Sequence, residues 1–200
     1  MTAKLALHTA LFNPKSLILV FSKAQRQSTE LLGKLREDHM LIKGEAPLSK
    51  DATTEVTLSN GSRILSLPGD GSTTRGFSAP NVIILDEAAF ISDSLYEAFM
   101  PMMANGRTRL FMLSTPNGKV GVFANAWLSG SSIWQRESVT AWEIPRISHV
   151  FLREALEELG PARFSQEFEC KFIDAEGQYF SDEAITNAFS KELRALELAL

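Results

Sequence analysis

An α/β architecture, with a mostly parallel sheet clad by helices on both faces, is written into this chain in three ways. Apolar runs of strand length alternate with amphipathic stretches of helix length along most of the 200 residues, which is the order that strand–helix repeats produce. The run Val82-Ile-Ile-Leu85 is apolar without alternation, as a parallel strand buried on both faces must be. Asn60-Gly61, set between two strand-like segments, is the strongest short hairpin signal available and adds an antiparallel piece at an edge.

The elements follow in order. Residues 3–12 carry Leu5, Leu7, Leu11 and Phe12 in the rhythm of a helix interior and are stopped by Asn13-Pro14. Residues 16–21 read as a buried strand, and residues 23–39 as an amphipathic helix with Leu31, Leu32 and Leu35 on one side. Residues 53–58 and 62–67 are the arms of the hairpin. Their Val56, Leu58 and Ile64 alternate with polar neighbours, as in a sheet with one wet face. A loop rich in Gly, Ser and Thr then runs from Pro68 to Phe77, with Arg75 as its one cation, and leads into the apolar run at 82–85. Beyond it come a helix over 93–104, a strand over 108–113 and an amphipathic helix over 120–129. A strand is expected over 133–141, a helix over 147–159 closed by Gly160-Pro161, and a further helical turn over 162–168. A short strand over 169–174 and an alanine- and leucine-rich helix over 182–200 complete the order. No internal repeat or low-complexity tract interrupts it.

Composition narrows the function. A chain with 44% hydrophobic residues can bury a sizeable core. Its formal charge of −4 lends no bulk electrostatic attraction to nucleic acid, so any such contact must be local. The single cysteine, Cys170, rules out an internal disulfide framework and sits in an apolar stretch expected to be core. His8, His39 and His149 lie far apart in sequence and match no zinc spacing. No apolar run reaches membrane-spanning length.

Chemistry concentrates at residues 81–90. The run Val82 to Leu85 ends in two adjacent acids, Asp86 and Glu87, and the carboxyl end of a strand is where open α/β sheets hold their ligands. Two carboxylates there suit a nucleotide site: the first can hold Mg²⁺, and the second can polarise the water that attacks a γ-phosphate. An Asp that merely caps the next helix is the plainer alternative for the same residues. The strand at 108–113 delivers the small-polar loop Ser114-Thr-Pro-Asn-Gly118 to the same edge, which is the layout of a P-loop-type motor ATPase. Such an enzyme cradles phosphates in a Gly-rich loop ending in Lys-Ser/Thr, and no such run occurs in these residues. The uncapped helix at the start is what would follow a phosphate loop, so an N-terminally truncated fold is expected.

The motifs then take on a family likeness. Leu7-His-Thr-Ala-Leu-Phe-Asn-Pro14, Ser28-Thr-Glu-Leu31, Asn60-Gly-Ser-Arg-Ile64, Thr74-Arg-Gly-Phe-Ser78, Ile84-Leu-Asp-Glu-Ala-Ala89, Leu113-Ser-Thr-Pro-Asn-Gly118 and Phe164-Ser-Gln-Glu-Phe-Glu-Cys-Lys-Phe172 resemble, in order, the large terminase subunit of tailed bacteriophages. The likeness runs from Thr2 to about residue 180. It implies a P-loop NTPase-type sandwich and a portion of a DNA-packaging motor that uses ATP and Mg²⁺ to move double-stranded DNA into a procapsid. Residues 1–176 would be a partial ATPase domain, inactive without a phosphate loop. Residues 177–200 would be a linker toward a nuclease domain that these residues do not contain. The resemblance places Asp86 on the Mg²⁺ shell and makes Glu87 the catalytic base. It matches Ser114 and Thr115 to the motif that senses the γ-phosphate and couples it to DNA, and Arg75 to an arginine finger acting on a neighbouring subunit. Implied partners are the portal, the small terminase subunit and further copies in a ring, in the cytoplasm of a bacterial host and without a membrane. A helicase-like ATPase, whose Asp-Glu box and Ser-Thr-Pro loop are similar, and a non-catalytic protein on the same scaffold stay open as alternatives.

Overall fold

The computed structural model describes residues 1–42, 46–68, 77, 79–174 and 188. Helix α1 (Thr2–Phe12) leads to strand β1 (Leu17–Ser22) and helix α2 (Gln25–Met40). Three strands follow, β2 (Leu48–Ala52), β3 (Glu55–Leu58) and β4 (Arg63–Pro68), and then β5 (Val82–Asp86). Helix α3 (Asp93–Met103), strand β6 (Arg109–Leu113) and helices α4 (Gly121–Leu128) and α5 (His149–Glu169) complete the order. The sheet runs β2-β3-β4-β1-β5-β6. Strands β4, β1, β5 and β6 are mutually parallel, while β2 and β3 add antiparallel at one edge. The expected mostly parallel sheet is thus observed and the hairpin forms, but its second arm, β4, belongs to the parallel part, and the antiparallel edge is β2 with β3.

Alternation along each strand decides which helix it meets, because successive side chains point to opposite faces. Ile18, Val20, Val82, Ile84 and Ile64 face one way, onto Ala6, Leu7 and Ala10 of α1 and Leu31, Leu32 and Leu35 of α2. Leu19, Phe21, Ile83 and Leu85 face the other way, onto Leu95 and Phe99 of α3 and Phe123 of α4. Two apolar layers therefore sandwich the sheet. The Asn60-Gly61 turn is also pinned to α1, since Asn60 Nδ2 donates to Ala10 O at 2.8 Å. Gly61 takes a positive φ of 83°, which a glycine adopts without steric cost.

Three expectations need correction. Strand β2 had no counterpart among the expected elements, because Leu-Ser-Lys-Asp-Ala carries little apolar signal. It is a charged edge strand, with Asp51 paired to Arg36 and Lys50 to Glu55, the sort of edge that resists pairing with other chains. Residues 133–141 form no strand: Ile133 and Val139 point to solvent, and Arg136 bonds the carbonyls of Ala126 and Trp134 instead of a ladder. Residues 169–174 form no strand either. Helix α5 ends at Glu169, and Cys170 takes a left-handed φ of 56° as its C-cap, half-buried rather than in the core. The helix itself kinks where expected, at Gly160 with φ 77° before Pro161. The helix expected over 182–200 lies outside the described residues apart from Ala188.

A small second core closes the C-terminal end. Leu152, Ala155 and Phe164 of α5 bury against Ala141, and a chain of rings links Trp142, Phe164, Phe168 and Phe151 at centroid distances of 5.0–6.0 Å. The segment then returns to the main body. Phe172 packs on Phe123 and Trp127 of α4, and Asp174 pairs with Lys119.

Candidate nucleotide site

The carboxyl ends of the parallel strands meet at Asp86. Register puts Asp86 opposite Leu113 of β6, and Ser22 lies one step past the Phe21–Leu85 pair on the other side. Asp86 shares a face with Ile84, so it points toward α1. The first residue of that helix, Thr2, lies near enough for its hydroxyl to favour the ionised Asp86 carboxylate. Burial pushes the Asp86 carboxyl above its ordinary range, the nearby Thr2 hydroxyl opposes the rise, and the neighbouring Glu87 charge adds to it. A half-buried carboxylate at a strand end is a hard-oxygen donor of the kind that suits Mg²⁺.

Glu87 leaves the strand abruptly. Its φ of 54° and ψ of 46° lie in the left-handed region, and it is the N-cap of a single 3₁₀ turn over Ala88–Phe90. A non-glycine residue there costs of order 1–3 kcal/mol, and such residues gather at functional sites. The carboxylate accepts a hydrogen bond of 2.7 Å from Nε2 of Gln27, near the start of α2. From the opposite side, Ser114 Oγ accepts from the backbone N–H of Ala89 at 3.2 Å. That bond ties the loop after β6 to the turn that carries the acids. Thr115 is half-buried in the same loop and Pro116 is buried. Lys23 covers the ring of Phe90 at 4.3 Å, closing the β1 side.

The structure thus gathers Asp86, Glu87, Ser114 and Thr115 at one sheet edge. Arg75, with the loop over 69–76, lies outside the described residues. Two participants had not been expected from sequence. Thr2 had no signal, because nothing local shows that the first turn of α1 lies beside the end of β5. Gln27 had none, because nothing local marks which face of α2 meets Glu87. Among the described residues no group of three or more His, Cys, Asp or Glu side chains could hold a metal. One carboxylate completed by a hydroxyl and by substrate oxygens is nevertheless the usual pattern for Mg²⁺. The described apolar cavity of about 240 Å³, lined by Leu7, His8, Leu11, Phe12 and Ile42 among others, lies between α1 and α2, away from these acids.

A six-stranded mixed sheet with an acidic strand end and a small-polar loop beside it defines a class, and solved structures of that class share this fold. The ATPase domain of the large terminase from Thermus phage P74-26 superposes with a TM-score of 0.64 at 16% identity, over 86% of this chain and 82% of that one. The large terminase of a second, thermophilic bacteriophage, solved in complex with ADP, superposes with a TM-score of 0.70 at 9% identity. That match takes in 86% of this chain, which spans 44% of the ADP-bound protein. No curated protein matches by sequence. A family model described as the N-terminal part of the terminase large subunit, T4likevirus-type, matches residues 1–187, and the chain belongs to that family. It is therefore a portion of a DNA-packaging motor ATPase, the large terminase subunit.

Proposed function

We propose that these residues form the metal and water-activating half of the motor's ATP site, with Asp86 on the Mg²⁺ shell and Glu87 as general base. The observation that supports this best is the placement of Asp86 at the carboxyl end of β5, on the face that α1 covers, while the adjacent Glu87 is turned out of the strand in a left-handed conformation. Hydroxyl and carboxylate oxygens fit Mg²⁺, which when bound would neutralise charge on the β- and γ-phosphates. Glu87 would accept the proton of the attacking water. The backbone tie between Ser114 and Ala89 supports a sensing role for Ser114 and Thr115, because a shift at either loop is felt at the acids. Arg75 would stabilise phosphoryl charge in a neighbouring subunit's site, a contribution of about 10³–10⁵ in rate in comparable enzymes. In this reading the substrates are ATP and double-stranded DNA. The partners are the portal, the small terminase subunit and further copies in a ring, acting in the cytoplasm of the bacterial host.

The test is made in a large terminase subunit carrying these residues. Glu87→Gln should leave nucleotide binding nearly intact and lower turnover by about 10²–10⁴. Asp86→Ala should weaken Mg-nucleotide binding itself. Wild-type turnover from Glu87→Gln would remove Glu87 from the base role. For Arg75, mixing Arg75→Ala subunits with Glu87→Gln subunits should restore part of the activity. No recovery in confirmed mixed rings would place its action within its own subunit.

A further inference from the structure

We infer that Gln27 is the positioning residue for Glu87, an assignment that rests on Glu87 being the base. Three features carry it. Gln27 is immobilised at both ends of its amide: its Oε1 accepts from the backbone N–H of Ala24 at 3.2 Å, and its Nε2 donates to Glu87 Oε1 at 2.7 Å. Its own backbone N–H donates to Ala24 O at 3.0 Å, so the first turn of α2 is wound around the same residue. Reorienting the amide would therefore break both of its hydrogen bonds.

The second feature is the direction of the bond. Gln27 engages one carboxylate oxygen of Glu87, Oε1, and among the described residues Oε2 is left to accept from a water. A charge-assisted hydrogen bond of this length is among the stronger kinds. The third feature is the place of Glu87 in the chain. It stands past the last residue of β5, where no ladder fixes it, and a long Glu side chain ordered only at the moment of reaction would lose its rotamer freedom there. Gln27 supplies that order before substrate arrives, and positioned groups of this kind lose about 10²-fold in rate when displaced by about 1 Å. Glutamine suits the task where lysine or arginine would not, since a neutral donor holds the carboxylate without forming an ion pair over it.

Two measurements test this. In the 200-residue chain, NMR side-chain couplings should show Glu87 in one χ1 rotamer. In Gln27→Met, which keeps the length and removes the donor, they should show averaging with the thermal midpoint little changed. Gln27→Asn, too short to reach, should behave as Gln27→Met. An unaltered single rotamer in Gln27→Met would overturn the inference. In the large terminase subunit, Gln27→Met should lower kcat at least tenfold with KM for ATP within about twofold, since the phosphate contacts are untouched. A parent kcat in Gln27→Met beside an inactive Glu87→Gln would overturn the positioning role alone. A parent rate in Glu87→Gln would instead overturn the base assignment, with the rotamer measurement still reporting whether Gln27 holds the side chain.

Discussion

Strands β1 and β6 flank β5 as parallel neighbours of similar length and similar apolar content, yet they live in different surroundings. Five of the six residues of β1 are buried, whereas Arg109 of β6 is exposed and its other four residues are only half-buried. Strand β1 has a partner on each edge and helices on each face. Strand β6 ends the strand order among the described residues. The lesson is that composition alone sets neither burial nor energetic weight, since Leu-Phe-Met-Leu of β6 is as apolar as Leu-Val-Phe of β1. The site shows the same asymmetry. From the β1 side come Lys23 and, at the start of α2, Gln27, and from the β6 side comes Ser114 on a loop.

The largest effect expected from this contrast is on stability. Phe21 is fully buried and meets the ring of Phe99 at 4.6 Å, so Phe21→Ala should cost about 3–5 kcal/mol. Phe111→Ala, the same deletion on β6, should cost less than half as much, about 1–2 kcal/mol. Urea unfolding of the two variants measures both, and equal costs would break the comparison.

A smaller effect tests the loop contribution to the site. Ser114→Ala removes the acceptor of the Ala89 N–H and should cost about 1–2 kcal/mol in the same titration. The loss should be accompanied by faster hydrogen exchange at Ala89 and not at Gln27. Exchange that rises equally at both would mean that the β1 and β6 sides yield together.

The smallest effect concerns Asp86 and has a definite sign. Burial holds the folded carboxyl above its ordinary value of 3.8, so the folded state binds that proton more tightly than the unfolded state. By linkage the resulting cost is absent below pH 3.8, grows as pH rises through the interval up to the folded pKa, and persists above it. Asp86→Asn should therefore raise Tm slightly at neutral pH in metal-free buffer, and the gain should vanish in acid. A fall in Tm at neutral pH would show that interactions with the ionised Asp86 carboxylate outweigh burial.

Legibility followed the range of the signal. The run of Val82 to Leu85 into Asp86 and Glu87 is local, and it announced a buried strand that ends in two acids. The Asn60-Gly61 turn did the same for β3 and β4, and Gly160-Pro161 for the kink in α5. Residues 133–141 misled because strand-favouring Ile133, Trp134, Val139 and Thr140 make a strand only if a ladder partner exists. None of the described strands takes them up. Strand β2 was hidden for the converse reason, since its pairing with β3 comes from backbone hydrogen bonds that a polar edge sequence does not advertise.

What the chain determined by itself is the set of elements whose periodicity is local: α1 to α4, strands β1 and β3 to β6, the hairpin and the acid pair. The physical reason is that side-chain direction repeats every two residues in a strand and about every 3.6 in a helix, so apolar spacing reports it directly. What only the tertiary structure decided is who meets whom at the end of β5. Thr2 reaches Asp86 from the first helix of the chain, and Gln27 reaches Glu87 across 60 positions of sequence. Those meetings depend on sheet order and on which helix covers which face, quantities that no local spacing records.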